Sequence, residues 1–356
     1  MRVAIVSDAW TPQTNGVVTT LRATAATLES RGYETRVVAL RDGVPSFPCP
    51  SYPEIRLAVA PGSYVARELD GFGPHAIHIA TEGPIGLAAR RYCLERGLPF
   101  TTSYHTRYPE YLRARWPIPL AVTYGWLRRF HGAAARTFVG SDSLRSGLGA
   151  QGFTNLHLWR RGVDLKRFTP RTDAPPDVNV SERPLLAYAG RVAVEKNLEA
   201  FLALEVPGTK LIIGGGPQLE KLRERYPQAL FPGFRYGEEL ARLLAAADVF
   251  VFPSLTDTFG IAMIEAMACG VPVAAFPVPG PLDVIEPGVT GVMHRDLAEA
   301  IHGALRLDRR LCAERAAGFT WDAATDQFLA GIAPIPAGVR TGKLKRRLLL
   351  GAARGA

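Results

Sequence analysis

Short apolar runs separated by amphipathic stretches set the rhythm of this chain. Runs at residues 3–6, 35–40, 75–80, 100–104 and 137–140 have the length of buried strands. Between them, apolar residues at helical spacing predict helices over 17–31, 64–69, 85–96 and 120–135. Residues 165–184 break the pattern. Pro170, Pro175, Pro176 and Pro184 stand there among Asp, Thr and Ser, which reads as a linker. The alternation then restarts, with strands expected at 185–189, 210–213, 249–252 and 271–275 and helices at 297–311 and 321–332. Pro334 and Pro336 close the patterned part.

Strand–helix alternation of this kind predicts mainly parallel sheets covered by helices on both faces. Two such stretches around one linker predict two doubly wound α/β domains facing a cleft. Their expected bounds are residues 1–168 and 169–335, followed by a tail at 336–356. In that architecture ligands bind beyond the C-terminal ends of the strands.

Composition narrows the classes. Hydrophobic residues make up 47% of the 356, enough for two cores. No apolar run reaches the length of a membrane span. The opening residues are too short an apolar stretch for a signal peptide and read as a first strand, so a cytoplasmic protein is expected. Cys49, Cys93, Cys269 and Cys312 show no metal or redox spacing. The formal net charge of +9 is unevenly placed: residues 340–356 carry six Lys or Arg, no acid, and Leu344, Leu348, Leu349 and Leu350. That mixture suits an anionic membrane surface or a solvated basic tail. Charge gathered in a tail, rather than in an aromatic groove, argues against nucleic acid.

Candidate chemistry lies where strands end. Ser254 to Gly270 places Asp257 in a loop, Phe259-Gly260 at a helix start, and Glu265 eight positions after Asp257, about two turns further on. N–H groups at a helix start favour an anion, so acid, anion pocket and acid in one line suit a sugar, a diphosphate and a ribose. Asn15-Gly16 closes the loop after the first strand, where glycine permits close approach to a phosphate or merely shapes a turn. His105 ends a strand. Arg191 and Lys196 follow the first strand of the second half, as a diphosphate clamp or as solvated loop charges. Gly214-Gly215-Gly216 follows the next strand, but Gly-x-Gly-x-x-Gly is absent there. After His105, Arg107, Tyr108, Tyr111, Arg113, Arg115 and Trp116 mix cations with aromatics, as a lipid or polyanionic head group would favour and as an ordinary surface loop also could.

Together these motifs resemble the retaining glycosyltransferases of family 4, with the GT-B fold, from Met1 to about Phe328. The most specific parts are Gly190-Arg191-x4-Lys196-Asn197 and Asp257-x7-Glu265-Ala266-Met267-Ala268-x-Gly270-Val271-Pro272. Asp8-x3-Pro12-x2-Asn15-Gly16-Val17, Tyr104-His105-Thr106 and Arg161-Gly162-Val163-Asp164-x3-Phe168 also fit. The resemblance implies an acceptor-binding first domain and a nucleotide-sugar-binding second domain. It implies Gly16 near phosphate or sugar, and His105 near the donor sugar. Arg191 and Lys196 would lie on the diphosphate, with backbone N–H groups from Phe259, Gly260 and Ile261. Glu265 would hold the ribose and Asp257 the sugar hydroxyls. The family usually has Glu where this chain has Asp257, a carboxylate with shorter reach.

The branch most resembled includes GDP-mannose-dependent α-mannosyltransferases and glycolipid-forming relatives. It implies transfer of a hexosyl group, mannose first, from GDP-mannose to a lipid or glycan acceptor, or, as the alternative, a glycolipid synthase using a UDP-sugar of glucose or a uronic acid. No separate cofactor is expected. No Asp-x-Asp sequence occurs, so metal independence is expected too. A dinucleotide-dependent oxidoreductase and a non-catalytic nucleotide-sugar binder are the readings from other classes. The missing glycine fingerprint and the paired acids weigh against the first.

Overall fold

The structure is a computed structural model. It describes residues 1–339 except 14, 50–51, 117, 172–177, 179 and 181. Residues 340–356 of the basic tail, and residues 172–177, 179 and 181 of the expected linker, therefore lie outside the described residues.

The first unit opens with β1 (Arg2–Val6), α1 (Gly16–Ser30) and β2 (Glu34–Val38). A hairpin of β3 (Ser46–Cys49) and β4 (Tyr52–Ala58) follows, then α2 (Gly62–Phe72), β5 (Ala76–Ile79), α3 (Pro84–Arg96) and β6 (Thr101–Tyr104). Next come α4 (Tyr108–Arg115), α5 (Leu120–His131), β7 (Arg136–Val139), α6 (Asp142–Ala150) and β8 (Leu156–Leu158). The second unit runs β9 (Leu185–Ala189), α7 (Leu198–Leu202), β10 (Thr209–Ile213), α8 (Leu219–Arg225), β11 (Leu230–Gly233) and α9 (Gly237–Ala246). It continues with β12 (Val249–Phe252), α10 (Ile261–Ala268), β13 (Val273–Ala275), α11 (Pro281–Val284) and β14 (Gly291–Met293). The helices α12 (Leu297–Ala304), α13 (Arg309–Ala316) and α14 (Trp321–Gly331) end the series.

Both main sheets are parallel throughout. Their strand orders are β2-β1-β5-β6-β7-β8 and β11-β10-β9-β12-β13-β14. The second is the full dinucleotide-fold order; in the first, the antiparallel β3–β4 hairpin intervenes between β2 and β5 along the chain. Strands buried on both faces read as continuous apolar runs, and β9 is such a strand. Its Leu185, Ala187 and Ala189 feed the core under α9, α10 and α13, while Leu186 and Tyr188 feed the core under α7, α8 and α12. The α/β, GT-B-type architecture expected from the sequence is therefore present.

Two expected helices change. The helix expected at 297–311 is two helices, α12 and α13. Asp308 accepts a hydrogen bond from the Arg310 N–H at 2.8 Å and so caps a new helix start. The helix expected at 120–135 ends at His131. Asn155 donates to the carbonyls of His131 and Ala134 (2.9 and 2.8 Å), satisfying acceptors that further helix would have used. The aromatic and basic stretch after His105, which the sequence left open between a head-group surface and an ordinary loop, is mostly the helix α4.

The last helix crosses back. Phe328 of α14 is fully buried against Phe138, Trp159 and His78 of the first unit, in one cluster with Val3, Ile5 and Leu21. Arg31 at the end of α1 pairs with Asp322 and Asp326 of α14 at 2.7 and 2.6 Å. Residues 321–331, which follow the second unit in sequence, thus pack on the first. Where the chain crosses, Val163 N donates to Phe319 O at 2.9 Å and forms a parallel bridge with Thr320. Truncating Phe328 to Ala should lower global stability by about 3–5 kcal/mol, read by chemical denaturation. A loss under about 1 kcal/mol would show that this helix is not part of the first core.

Candidate active site

In each unit the strand order reverses beside the first strand: between β1 and β5, and between β9 and β12. Loops leaving neighbouring strands on opposite faces open a crevice there. Nearly every residue singled out from the sequence lies on these loops or just beside them, at the strands' C-terminal ends.

From the first unit, Asn15 caps α1 by accepting from the N–H groups of Val17 and Val18, both at 3.0 Å. Gly16 is then the first helical residue. A Cβ built on Gly16 would stand 3.7 Å from Cδ1 of Ile261, the first residue of α10. Two helix starts, one from each unit, thus face each other, and both carry partial positive charge. Asp8 braces this side. Its buried carboxylate accepts from the N–H groups of Ile85 and Gly86 (2.8 and 3.2 Å) and from the Thr81 hydroxyl at 2.8 Å, capping α3.

From the second unit, Lys196 ends a short 3-10 turn after β9. Asn197 follows in the left-handed region at φ 53°, which Asn tolerates, and donates to the Pro253 carbonyl at 3.2 Å. The Ser254 hydroxyl donates to the Glu195 carbonyl at 3.3 Å. The glycine run after β10 supports the same loop: a Cβ on Gly214 would fall 1.9 Å from the Gly190 carbonyl oxygen. These ties bring Lys196 Nζ to 2.5 Å from Asp257 Oδ1, with both side chains less than a fifth exposed. Burial works against the Lys196 charge, but Asp257 and the nearby tyrosine hydroxyls outweigh it and hold its pKa above the ordinary value. The other Asp257 oxygen, Oδ2, is buried without a hydrogen-bond partner, as is the neighbouring Thr256 hydroxyl.

Gly260 sits at φ 90° immediately before α10, where a Cβ would meet Met263 at 2.6 Å. This turn leaves the start of α10 without a side-chain cap. Glu265 lies further along α10. Burial raises its carboxyl to about 7, against a smaller opposing influence from Arg167. Arg191 is half-buried, and its carbonyl accepts from the Tyr188 hydroxyl at 2.9 Å. The cation that pairs with Asp257 is Lys196.

His105 joins the two units. Its carbonyl accepts from the Thr258 hydroxyl of the second unit at 3.0 Å. Its ring Nδ1 lies 3.1 Å from Arg161 Nη2, and its Nε2 is buried without a partner. Tyr111 on α4 also reaches the second unit. Burial raises its hydroxyl to about 12, while the Lys196 charge pulls the other way. A second cross-cleft bond runs from the Ser143 N–H to Asp283 at 2.8 Å. The structure therefore brings together Gly16, His105, Lys196, Asp257, Phe259, Gly260 and Ile261, with Glu265 along α10. Arg161, Tyr111 and Thr258 join them without a role assigned from sequence. Arg161 and Tyr111 fall in stretches whose residue types drew attention, but their burial comes from tertiary packing that spacing does not reveal. Among the described residues no cluster of His, Cys, Asp or Glu could hold a metal ion.

Replacing Asp257 by Leu should strand the Lys196 charge and destabilise the unliganded protein by about 3 kcal/mol, while Asp257→Leu with Lys196→Met should recover most of it. Thermal unfolding of both variants checks this. Equal losses in the single and double variants would mean that the pair is not coupled.

Residues 14–167 match the model described as Glycosyltransferase Family 4, and residues 183–307 match that described as Glycosyl transferases group 1. The chain is 32% identical to a GDP-mannose-dependent alpha-mannosyltransferase of Mycobacterium tuberculosis, over 92% of this chain and 95% of that one. It is 34% identical to a sulfoquinovosyl transferase of Arabidopsis thaliana, over 75% of this chain and 58% of that one. Its fold is similar to a sucrose-phosphate synthase of Thermosynechococcus elongatus, with a TM-score of 0.76, 21% identity, and 92% and 97% of the two chains covered.

Proposed function

The chain belongs to the family 4 glycosyltransferases of the GT-B fold, enzymes that transfer hexosyl groups, and from that membership we propose a specific reaction. A hexosyl group, mannose first, moves from a nucleoside-diphosphate sugar to a lipid or glycan acceptor, with retention of configuration and without a metal. The observation that carries this reading is the buried Lys196–Asp257 pair beside the uncapped start of α10, with Asp257 Oδ2 left free. As the sugar–phosphate bond breaks, negative charge gathers on the diphosphate. Preorganised cations and N–H donors at that point stabilise the transition state.

Each residue then has a role that its chemistry can fill. Lys196, with Arg191, meets the leaving diphosphate, and the N–H groups of Phe259, Gly260 and Ile261 add to it. Gly16 lets the opposing helix start approach the same phosphate or the sugar. Asp257 accepts from the sugar hydroxyls through its free oxygen, and His105 approaches the donor sugar. Glu265 accepts from the ribose hydroxyls. The acceptor attacks from the face that the diphosphate leaves, and the departing phosphate takes its proton.

The mannosyltransferase relative supports mannose from GDP-mannose. The sulfoquinovosyl transferase relative and the short reach of Asp257 leave room for a sugar other than mannose, and the second reading is glucose or a uronic acid from a UDP-sugar. On the first unit, Trp116, Val122 and Trp126 are exposed beside Arg113, Arg128 and Arg129. Apolar rings rimmed by cations suit a lipid-bearing acceptor at an anionic membrane surface. No described helix is long and apolar enough to cross a membrane.

The test is transfer from GDP-mannose and a panel of UDP-hexoses to lipid acceptors, in EDTA, with the product's anomeric configuration read by NMR. Retained configuration, full turnover in EDTA and at least a tenfold loss in Lys196→Ala are expected. Inverted product, loss of turnover in EDTA, or a wild-type rate in the variant would overturn the corresponding part.

A pH effect follows from Glu265. Its carboxyl is protonated below about pH 7 in the free enzyme, and a protonated carboxyl accepts the ribose hydroxyls poorly. Nucleotide-sugar affinity should therefore weaken as pH falls through about 7, approaching tenfold per unit. Calorimetry across that range should show this in the wild type and a flat profile in Glu265→Gln.

A further inference from the structure

We propose that Arg161 is a positioning residue that fixes the tautomer of His105, so that the imidazole meets its substrate as a hydrogen-bond donor through Nε2–H. The geometry decides which nitrogen carries the proton. Arg161 Nη2 lies 3.1 Å from His105 Nδ1. A guanidinium has donors only, so Nδ1 is the acceptor and carries no hydrogen. The proton of the neutral ring is then on Nε2, the buried atom without a partner.

Arg161 is itself held firmly. It is 5% exposed. Its Nη1 donates to the carbonyls of Trp159 and Arg160, and its guanidinium carbon lies 4.7 Å from the Trp159 ring centroid. Among the described residues no carboxylate forms an ion pair with it. Burial lowers its pKa to about 9, which leaves it charged at neutral pH.

An unpaired buried cation is costly, and here it has a specific effect. It both orients the ring and opposes a second proton. The charged or titratable groups that act on His105 are Arg161 after β8, His78 from β5 and His131 from α5. No carboxylate is among them. Burial, then Arg161, then the two histidines hold the imidazole well below its usual range, so it stays neutral. A neutral Nε2–H suits an oxygen acceptor such as a sugar hydroxyl or a phosphate oxygen. Neither nitrogen is then free to act as a general base.

The identity of that oxygen rests on the glycosyl-transfer reading; the tautomer does not. The test is imidazole 15N NMR on the full chain with labelled histidine, with His105 assigned through His105→Gln. In the wild type, His105 should show the Nε2–H pattern from about pH 5.5 to about pH 8. Arg161→Met should mix the tautomers and raise the ring's pKa toward its ordinary range without reaching it, because burial remains. At saturating donor, which removes the Glu265 binding effect, turnover in that variant should fall off at a higher pH on the acid side than in the wild type. Arg161→Gln, which keeps an N–H donor for Nδ1 without the charge, should restore much of the tautomer. A wild-type ring protonated on Nδ1 would overturn the proposal, and that spectrum needs no variant to fold. An Arg161→Met protein with an unchanged spectrum and pH profile would overturn it too. If no donor is turned over, the spectra still decide the tautomer, and only the glycosyl-transfer reading fails.

Discussion

Parallel pairing constrains everything else in this molecule. A strand can be followed by a parallel neighbour only if the chain crosses back over a face of the sheet. Each unit therefore alternates strand and crossover, and each sheet delivers all its strand C-termini to one edge. Two such edges, brought face to face, concentrate loops, helix starts and polar side chains in one crevice, while the opposite edges stay structural. Gly16, His105, Lys196 and Asp257 are distant in sequence and meet because this geometry leaves them nowhere else to go.

Withdrawal from water gives those groups their character. Lys196 and Asp257 are partners first, and any diphosphate entering the crevice competes with Asp257 for the same ammonium. One Asp257 oxygen is already engaged, so its single free oxygen is the selective one. A Glu here would place its carboxylate about one methylene further out, changing where the ammonium and the free oxygen sit relative to a sugar. Arg161 is the opposite case, a buried cation with no carboxylate paired to it among the described residues, whose charge acts on an imidazole.

What could be read beforehand was what depends on local pattern. The runs at 3–6, 185–189 and 249–252 are continuous because both faces of those strands are covered. The Phe259-Gly260 turn was visible because glycine is required there. The short strands β8, β11 and β14 were not, because their partly exposed residues carry little apolar signal. The break inside 297–311 depended on Asp308 acting as a cap, which competes with an otherwise helical pattern. The apolar face of α14 announced burial but not against which sheet. Of the site, the acids and cations were legible from residue type and spacing. Arg161, Thr258 and Tyr111 owe their importance to what packs around them, so no spacing exposes it.

The return of α14 also decides which half of the molecule is anchored. Beyond it, the Ile335 N–H donates to the His75 carbonyl at 2.7 Å, and Pro334 bridges Ala76 at the N-terminal edge of the first sheet. The described chain thus leaves the first unit at the pole remote from the crevice. Any partner or surface gripping the protein from that point holds the first unit still. The second unit hangs from two adjoining strands of chain, at Val163 and Thr320. Opening the crevice at that crossing means breaking the Thr258–His105 and Ser143–Asp283 bonds and carrying Lys196, Asp257 and Glu265 away from a His105 that stays with the anchored unit.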